Sequence, residues 1–264
     1  MKATCSNGHD FEYQESDIKS HFVMCGDSTD KASVELLMDG VKADMVFTDP
    51  PYNVAYEGEG DNDLGPIKND NMTDAQFDQF LRDVFSTYWA SMKELAPIYV
   101  CHPDSATAPK LAFEITFAER FKKSSTIIWA KQSAGMGWQD YRAQHEPILY
   151  GWKEGAGKHY FCGDRSKTTV WQIGRDAQAS YVHPTQKPVD LPAEAIKNSS
   201  RAGEIVLDLF GGSGSTLIAC EQHGRINRSM ELDPKYVDVI RKRYAKFIEP
   251  ETWEDRWQKL TPAV

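Results

Sequence analysis

A glycine-rich turn between an apolar strand pattern and a helical pattern constrains the fold of this chain more than any other feature. The strand pattern covers residues 204–209, and the helical pattern begins at Ser215. The turn between them reads Phe210, Gly211, Gly212, Ser213 and Gly214. Glycines let a backbone approach a ligand closely, and a helix start directs its free N–H groups at that ligand. The turn therefore predicts an α/β fold with a ligand bound at the end of this strand.

An acidic residue ends the next predicted strand. Glu231 stands roughly 20 residues beyond the turn, where a carboxylate can accept hydrogen bonds from both ribose hydroxyls of an adenosine. A tight turn without a ligand would explain the glycines but not this acid. A dinucleotide site would favour a third glycine where the chain has Leu217. The sequence therefore favours an adenosine-containing ligand and disfavours a nicotinamide-dependent oxidoreductase.

Strand and helix patterns alternate along most of the chain, which predicts one α/β domain. Apolar periodicity predicts strands at residues 22–25, 44–48, 98–101, 126–130, 147–152, 204–209 and up to 231, and helices at residues 33–38, 73–95, 110–121, 191–200, 215–223 and 234–247. Thr73 and Gln76 resemble a capping box, and Pro97 is expected to close that helix. Residues 131–182 have weak periodicity and predict loops and short strands.

Composition excludes several classes of protein. The 264 residues are 41% apolar and 26% charged, which is typical of a globular chain. The five cysteines are scattered, and Cys5 with His9 supplies only two ligands, so neither a disulfide nor a metal site is expected. No apolar run reaches the roughly 18 residues of a membrane helix. With no apolar leader at its start, the chain is predicted to be cytoplasmic, with no membrane partner.

Charge is unevenly distributed along the chain. The net charge is −9, which argues against phosphate binding over the whole surface. The segment from Arg120 to Val182, however, contains ten Lys and Arg residues and five Asp and Glu residues. Charge alone leaves two interpretations of this segment open, a solvated basic face and a nucleic-acid contact.

Asp49-Pro50-Pro51-Tyr52 directly follows an apolar strand pattern. The prolines fix φ and remove N–H donors, so the Pro50 carbonyl is free to accept a hydrogen bond from a ligand. Together with the Asp49 carboxylate it can accept both hydrogens of an amino group and draw the nitrogen lone pair towards an electrophile. Tyr52 offers a ring on which a base removed from its helix can stack. A stiff loop leaving a strand would explain the prolines but neither Asp49 nor Tyr52.

These segments resemble the motifs of the amino-methyltransferase family of DNA modification enzymes. Asp49-Pro50-Pro51-Tyr52 is similar to its catalytic motif, and the glycine turn to its Phe-x-Gly-x-Gly methyl-donor loop. The segment from His183 to Pro188 resembles the family's segment beside the methionine part of the donor, and Gly26-Asp27 its adenine-contacting strand end. The resemblance covers roughly residues 20–248.

The resemblance implies a Rossmann-like methyltransferase fold with a mostly parallel, seven-stranded sheet, circularly permuted as in the β group. Residues 20–130 would form the catalytic half, residues 131–182 the target-recognition region and residues 183–248 the donor-binding half. The implied donor is S-adenosyl-L-methionine. The residues expected to contact it are Asp27, Thr48, Asp49, His183, Thr185, Lys187, Pro188, Asp208, Phe210, Gly211, Gly212, Ser213, Gly214, Glu231 and Leu232.

The resemblance also implies duplex DNA as the substrate, with a flipped base bound by the catalytic residues Asp49, Pro50, Pro51 and Tyr52. Asp at the first motif position favours adenine N6, and cytosine N4 is the alternative. The candidate phosphate or base-edge contacts are Lys131, Gln132, Arg142, Lys153, Lys158, Arg165 and Lys167. Members of the family often form homodimers, and the chain does not indicate whether a restriction endonuclease accompanies it.

One position departs from the family pattern. Ser229 stands where the family usually has Gly, two residues before Glu231. A side chain there is expected to affect the tightness of the donor pocket, which leaves open a DNA-binding relative with impaired catalysis. The nearest enzymatic alternative methylates a protein amide or an RNA amine. Asp49 disfavours a protein-amide methyltransferase, because those enzymes usually have Asn at the first position of the tetrapeptide.

Overall fold

An eight-stranded sheet organises the fold of the protein. The computed structural model describes residues 2–4, 10–12, 21–55, 68–104, 107–134, 140–162, 164, 166–176, 181–183 and 185–254. Its strands are β1 (Lys2–Thr4), β2 (Asp10–Glu12), β3 (Phe22–Cys25), β4 (Met45–Thr48), β5 (Pro97–Cys101), β6 (Lys122–Ala130), β7 (His145–Trp152), β8 (Val170–Gln172), β9 (Ile205–Asp208) and β10 (Ile226–Glu231). The large sheet has the order β3-β10-β9-β4-β5-β7-β6-β8, and β1 and β2 form a separate antiparallel pair.

Helices cover both faces of this sheet. They are α1 (Lys31–Met38), α2 (Asp74–Ser91), α3 (Thr107–Arg120), α4 (Asp190–Ser199), α5 (Ser215–Gln222) and α6 (Pro234–Ile248). Successive β4 side chains alternate between two cores: Val46 packs with residues of α1, α2 and α3, whereas Met45 and Phe47 pack with residues of α4 and α5. Burial on both faces explains why the central parallel strands read as continuous apolar runs in the sequence.

The order and direction of the strands locate the crevice at which a ligand can bind. Strands β3, β10, β9, β4 and β5 are parallel to one another, whereas β7 is antiparallel to both β5 and β6. The chain passes from β9 to β10 towards one side of the sheet and from β4 to β5 towards the other. A crevice forms outside the carboxyl ends of the strands where the direction reverses, and ligands of such sheets bind there. Here that point lies between β4 and β9.

The sheet confirms the predicted Rossmann-like architecture and adds one strand to the expected seven. The additional strand is β8, whose three residues pair with Ile128–Ala130 of β6 inside the segment predicted as loops and short strands. So short a segment has too few residues to show a two-residue periodicity. None of the described helices combines the length and apolar character needed to span a membrane.

Helix α2 begins as predicted and ends earlier. The capping box is present, because Thr73 Oγ1 accepts a hydrogen bond from Gln76 N and Gln76 Oε1 accepts one from Thr73 N. The helix ends at Ser91 rather than near Pro97, since Met92 has extended backbone angles and bridges to Ala43. Pro97 begins β5 instead of closing the helix.

Candidate active site

A cleft opens at the carboxyl ends of β4, β9 and β10. It encloses about 1200 Å³ of empty space, its open mouth included. Its walls include both motifs singled out in the sequence, the tetrapeptide after β4 and the glycine turn after β9, together with residues of the segment after 182 and Glu231. The fold therefore brings together segments that lie far apart along the chain.

The Asp49 carboxylate is held by two side chains. Its Oδ2 lies 2.8 Å from Lys187 Nζ, and its Oδ1 accepts a hydrogen bond from the Tyr52 hydroxyl at 2.8 Å. Burial raises the pKa of Asp49, and the nearby Glu146 carboxylate adds to the rise, whereas Lys187 opposes it. Asp49 is thus a carboxylate with both oxygens occupied by protein donors and with limited access to water.

Tyr52 is fixed by an aromatic neighbour as well as by Asp49. Its ring meets the edge of Phe113, with centroids 6.2 Å apart and ring planes at 89°. Lys187 Nζ lies 5.1 Å from the Tyr52 ring centroid. Burial and the carboxylates of Asp49 and Glu146 raise the pKa of the Tyr52 phenol well above its usual range. The phenol therefore keeps its proton and acts as a donor.

Glu146, at the start of β7, completes a cluster of four charges. Its Oε2 lies 3.1 Å from Lys187 Nζ and accepts a hydrogen bond from the Tyr52 hydroxyl at 3.3 Å, and its Oε1 pairs with Lys131 Nζ. Burial opposes ionisation of Glu146, but the two ammonium groups outweigh burial and hold its pKa at about 2. Burial also opposes the charge on Lys187, yet Asp49 and Glu146 raise the pKa of this ammonium above its usual range.

The glycine turn has the backbone shape that its sequence predicts. Gly212 and Gly214 have φ values of 52° and 83°, which residues with a side chain rarely adopt. A Cβ on Gly211 would lie 2.9 Å from Ile240 Cδ1 of α6, so the turn packs closely against that helix. Phe210 closes one side of the turn through an edge contact with Phe80 at 6.1 Å.

Glu231 faces the turn from the end of β10. Its Oε2 accepts a hydrogen bond from Gly212 N at 2.9 Å, and its Oε1 accepts one from Asp233 N at 2.9 Å. Burial raises the pKa of Glu231, and the two backbone N–H groups oppose the rise. Both bonds hold the carboxylate in one orientation beside the cleft, where Leu232 is a further lining residue.

The segment from His183 to Lys187 is tied to the glycine turn. The Lys187 carbonyl accepts a hydrogen bond from Ser215 Oγ at 2.6 Å, and Thr185 N donates to His183 Nδ1 at 3.3 Å. The His183 ring meets the edge of Tyr236 at a centroid distance of 4.4 Å. Burial, helped by Lys187, lowers the pKa of His183 to about 4, so the imidazole is neutral at pH 7. Pro188 is buried directly after this segment.

Two predicted donor-contact residues have local structural partners. Thr48 is fully buried and shares a hydrogen bond of 2.7 Å with the Tyr88 hydroxyl. Asp27 is exposed, and its Oδ1 accepts hydrogen bonds from Thr29 N and Thr29 Oγ1. The cleft at this strand end is lined by Gly26 and Ser28, which flank Asp27.

Asp208 is a buried carboxylate at the end of β9. Its Oδ2 accepts a hydrogen bond from Thr216 Oγ1 at 2.7 Å, and its Oδ1 accepts one from Phe210 N at 3.1 Å. Burial raises the pKa of Asp208 to about 7, although both hydrogen bonds oppose the rise. In an unfolded chain an aspartate titrates near pH ~4. Between these pH values the folded state holds a proton that the unfolded state has lost, so stability falls as pH rises.

Asp208→Asn is therefore expected to become more stable relative to the wild type as pH rises from about 5 to about 8. Asparagine cannot ionise, so Asp208→Asn does not lose the stability that the wild type loses as Asp208 ionises over this pH range. Thermal unfolding of both proteins at the two pH values measures the difference in Tm. A difference in Tm that is the same at both values would contradict the raised pKa.

Three of the predicted DNA-contact residues lie at the edge of the sheet that carries the cleft. Lys131 and Gln132 directly follow β6, and Arg142 precedes β7. Arg142 is exposed, Gln132 Oε1 accepts a hydrogen bond from Arg175 N at 2.8 Å, and Lys131 belongs to the charge cluster. Of the three, Lys131 is linked to the tetrapeptide, because its partner Glu146 accepts a hydrogen bond from the Tyr52 hydroxyl.

Other predicted DNA-contact residues lie away from the cleft. The end of β7 lies at the opposite edge of the sheet, and there Lys153 Nζ is 3.9 Å from the Trp89 ring centroid. Lys158 lines a second groove at that edge, with Asp44 and Glu204.

Lys167 and Arg165 are the last two predicted DNA-contact residues. Lys167 Nζ pairs with Glu194 of α4 at 2.7 Å. Arg165 lies outside the residues that the structure describes. Among those residues, no group of three or more His, Cys, Asp or Glu side chains is arranged to hold a metal ion.

A family model for N6/N4 methyltransferases, described as DNA methylase, matches residues 43–242. The matched range contains both the tetrapeptide after β4 and the glycine turn after β9. The chain belongs to this DNA methylase family. The protein is similar to the type II methyltransferase M2.MboI of Moraxella bovis, with 26% identity over 255 residues, 88% of this chain and 90% of that protein. It is also similar to the DNA adenine methyltransferase YhdJ of Escherichia coli (strain K12), with 27% identity over 231 residues, 74% of each chain.

Solved structures share the fold of this DNA methylase. The complex of M1.HpyAVI with SAM has a TM-score of 0.62 and 20% identity, covering 84% of this chain and 98% of that chain. The cytosine-N4-specific PvuII DNA methyltransferase has a TM-score of 0.69 and 16% identity, covering 91% of this chain and 92% of that chain. At these identities the likeness establishes the architecture alone.

Two residues of the DNA methylase are better understood from the structure than from the sequence. Glu146 belongs to no motif of the sequence, although a carboxylate at the start of an otherwise apolar strand is a signal for a site residue. Ser229, which departs from the family pattern, is buried, and its hydroxyl donates to Asn227 Oδ1 at 2.5 Å. Ser229 is not among the residues that line the cleft.

Proposed function

We propose that this DNA methylase transfers the methyl group of S-adenosylmethionine to the N6 amine of adenine in duplex DNA. The proposal is carried by the position of Asp49 and Pro50 at the end of β4, in the same cleft as the glycine turn after β9. An amine acceptor and an adenosine-binding turn in one cleft provide a place for both reactants. Holding two reactants in attack geometry can supply on the order of 7 kcal/mol or more.

The residues around the glycine turn fit the donor. Glu231 has its carboxylate oriented by Gly212 N and Asp233 N, at the strand end where ribose hydroxyls are bound in such folds. The positive φ values of Gly212 and Gly214 give the turn its shape at the cleft, and Gly211 lets it pack against α6. When bound, S-adenosylmethionine supplies an electrophilic methyl group on a positively charged sulfur.

Asp49 and Pro50 prepare the target amine. Each accepts one hydrogen of the amino group, which draws the nitrogen lone pair out of conjugation with the base ring. The nitrogen then forms a bond to the methyl carbon as the bond from sulfur to that carbon breaks, and it afterwards gives up a proton. The Asp49 carboxylate favours the positive charge that develops on nitrogen. Its raised pKa also suits it to accept the proton.

Tyr52 binds the flipped base, and the methyl group is transferred to it directly. The Tyr52 ring offers a surface for the base once it has left the duplex, and base–aromatic stacking contributes about 1–3 kcal/mol. Transfer is direct from donor to amine, so no covalent link between protein and DNA forms. The part of the protein at the cleft edge, with Gln132 and Arg142, faces the DNA.

Adenine is favoured over cytosine by the first residue of the tetrapeptide. Asp at this position is commoner among adenine-specific relatives, and Ser among cytosine-specific ones. The similar YhdJ protein is named a DNA adenine methyltransferase. The PvuII enzyme, which shares the fold, is named cytosine-N4-specific, so N4-methylation of cytosine is the second candidate function.

Nucleoside analysis distinguishes these functions. Purified protein is incubated with unmethylated plasmid DNA and isotopically labelled S-adenosylmethionine, and the digested nucleosides are separated by chromatography and mass spectrometry. We expect the label in N6-methyladenine. Label in N4-methylcytosine would replace adenine by the second candidate, and label found only in RNA or protein added in parallel would overturn DNA as the substrate. Sequencing that detects modified bases in the same plasmid then reports the recognised sequence.

A further inference from the structure

Both oxygens of the Asp49 carboxylate already accept protein donors. Lys187 Nζ lies 2.8 Å from Oδ2, and the Tyr52 hydroxyl donates to Oδ1 at 2.8 Å. The proposed reaction requires one of these oxygens to accept the target amine. A carboxylate oxygen can accept more than one hydrogen bond, but an ammonium 2.8 Å from Oδ2 neutralises the charge that Asp49 offers to the amine.

Lys187 is the donor with a charged alternative partner. Its ammonium lies 3.1 Å from Glu146 Oε2 as well as 2.8 Å from Asp49 Oδ2, so it bridges two carboxylates. Only 10% of the Lys187 side chain is exposed, and a buried ammonium without a carboxylate partner is strongly unfavourable. Rotation about the last side-chain bonds leaves the ammonium on Glu146 and frees Asp49 Oδ2.

We propose that Glu146 is a positioning residue for methyl transfer, which takes Lys187 from Asp49 when the target amine binds. The assignment rests on the proposed function, because it supposes an amine that binds to Asp49. Glu146 acts through Lys187 and is not itself proposed to contact the base or the donor.

A second lysine, Lys131, also pairs with Glu146. It pairs with Glu146 Oε1, the oxygen that Lys187 does not use, and its side chain is only 8% exposed. The cluster contains two lysine ammonium groups and two carboxylates, so its formal charges cancel. When Lys187 turns to Glu146, that carboxylate is held by two ammonium groups, and the Asp49 charge is left for the positive charge developing on the amine.

Glu146→Gln tests the assignment. The glutamine keeps the size of the side chain but not its charge, so Asp49 becomes the only carboxylate partner of Lys187 among the described residues. Hydrogen bonds to charged groups are worth about 1.5–3 kcal/mol, which predicts a fall in kcat of roughly 10–100-fold. Glu146 itself is not among the residues that line the cleft. The KM for DNA and the Kd for S-adenosylmethionine should therefore change by less than about twofold.

Glu194→Gln is the matched control. Glu194 also has two lysine partners, Lys167 at 2.7 Å and Lys197 at 3.1 Å, and its side chain is 18% exposed, against 22% for Glu146. It lies outside the cleft lining, so its replacement should leave kcat within about twofold of the wild type. Glu146→Asp, which keeps a carboxylate for Lys187, should be faster than Glu146→Gln.

The outcomes separate this assignment from the proposed function. A Glu146→Gln protein with wild-type kcat, a Glu146→Asp protein as slow as Glu146→Gln, or an equal loss in Glu194→Gln would overturn the positioning role. A wild-type protein that transfers no methyl group to DNA would instead overturn the proposed function. All rates are measured on the same unmethylated plasmid DNA at saturating S-adenosylmethionine, and the Tm of each variant reports its folding.

Discussion

Asp49→Ala is expected to lower the rate of methyl transfer by about 10²–10³-fold at saturating S-adenosylmethionine and DNA. The change removes the carboxylate that accepts one amine hydrogen and stabilises the positive charge developing on nitrogen. Pro50 alone then holds the amine, and the nitrogen lone pair stays more strongly conjugated with the ring. The label incorporated into DNA in a single turnover is the measurement, because it isolates transfer from product release.

The control for Asp49→Ala lies at the other end of the same strand. Asp44 is a half-buried carboxylate whose Oδ1 lies 2.5 Å from Lys93 Nζ, at the edge of the sheet opposite the cleft. Asp44→Ala removes a similar ion pair and should leave the transfer rate near that of the wild type. Lys187 keeps Glu146 as a partner in Asp49→Ala, so the variant should remain folded. Transfer by Asp49→Ala at the wild-type rate would exclude the mechanism proposed here.

Glu231→Ala is expected to weaken binding of S-adenosylmethionine by about 100-fold or more. The carboxylate would accept hydrogen bonds from two ribose hydroxyls, and each bond to a charged group contributes about 1.5–3 kcal/mol. The variant also loses the bond that orients Gly212 N, which loosens the glycine turn. Calorimetric titration with S-adenosylmethionine in the absence of DNA measures the Kd.

A carboxylate outside the cleft provides the comparison for Glu231→Ala. Glu221 of α5 pairs with His21 at 2.7 Å and accepts a hydrogen bond from the Tyr244 hydroxyl at 2.9 Å. Glu221→Ala removes the same number of atoms without touching the donor pocket, so its Kd should match the wild type. An unchanged Kd in Glu231→Ala would show that the acid at the end of β10 does not hold the ribose.

Local sequence patterns predict the order of elements in this fold well. The strand at Phe22–Cys25 and the start of α5 at Ser215 have the predicted bounds. These elements have strong apolar patterns or clear turn residues at their ends, and such signals depend on neighbours along the chain. The sequence does not predict the end of α2 at Ser91, because the extended backbone at Met92 follows from its bridge to Ala43, a contact between distant segments.

The charge cluster is the part of the site that the sequence could not predict. The resemblance places Asp49 and Lys187 in the same cleft, but not within 2.8 Å of each other. Glu146 joins them only because β7 is antiparallel, so that its first residues lie at the edge where β4 ends. Strand direction is set by pairing across the sheet and leaves no mark on the local pattern of β7.

The same reasoning applies to the basic middle segment. The sequence alone does not separate its lysines and arginines into groups. Lys131 follows β6 at the cleft edge, whereas Lys153 follows β7 at the opposite edge, where its ammonium donates to the backbone carbonyls of Trp89 and Met92. Net charge over a segment cannot distinguish two sides of a sheet that the segment crosses.

The paired ends of β6 and β7 hold Glu146 in place independently of the connection between the two strands. Ala130 pairs with His145, and Lys131 N donates to Gln144 O at 2.9 Å, so the two strands stay joined up to the point where the connection begins. Residues added or exchanged between Gln132 and Ala143 leave this closure, and Glu146 beyond it, in register. A change of sequence or length between Gln132 and Ala143 is therefore expected to leave the charge cluster around Asp49 in place.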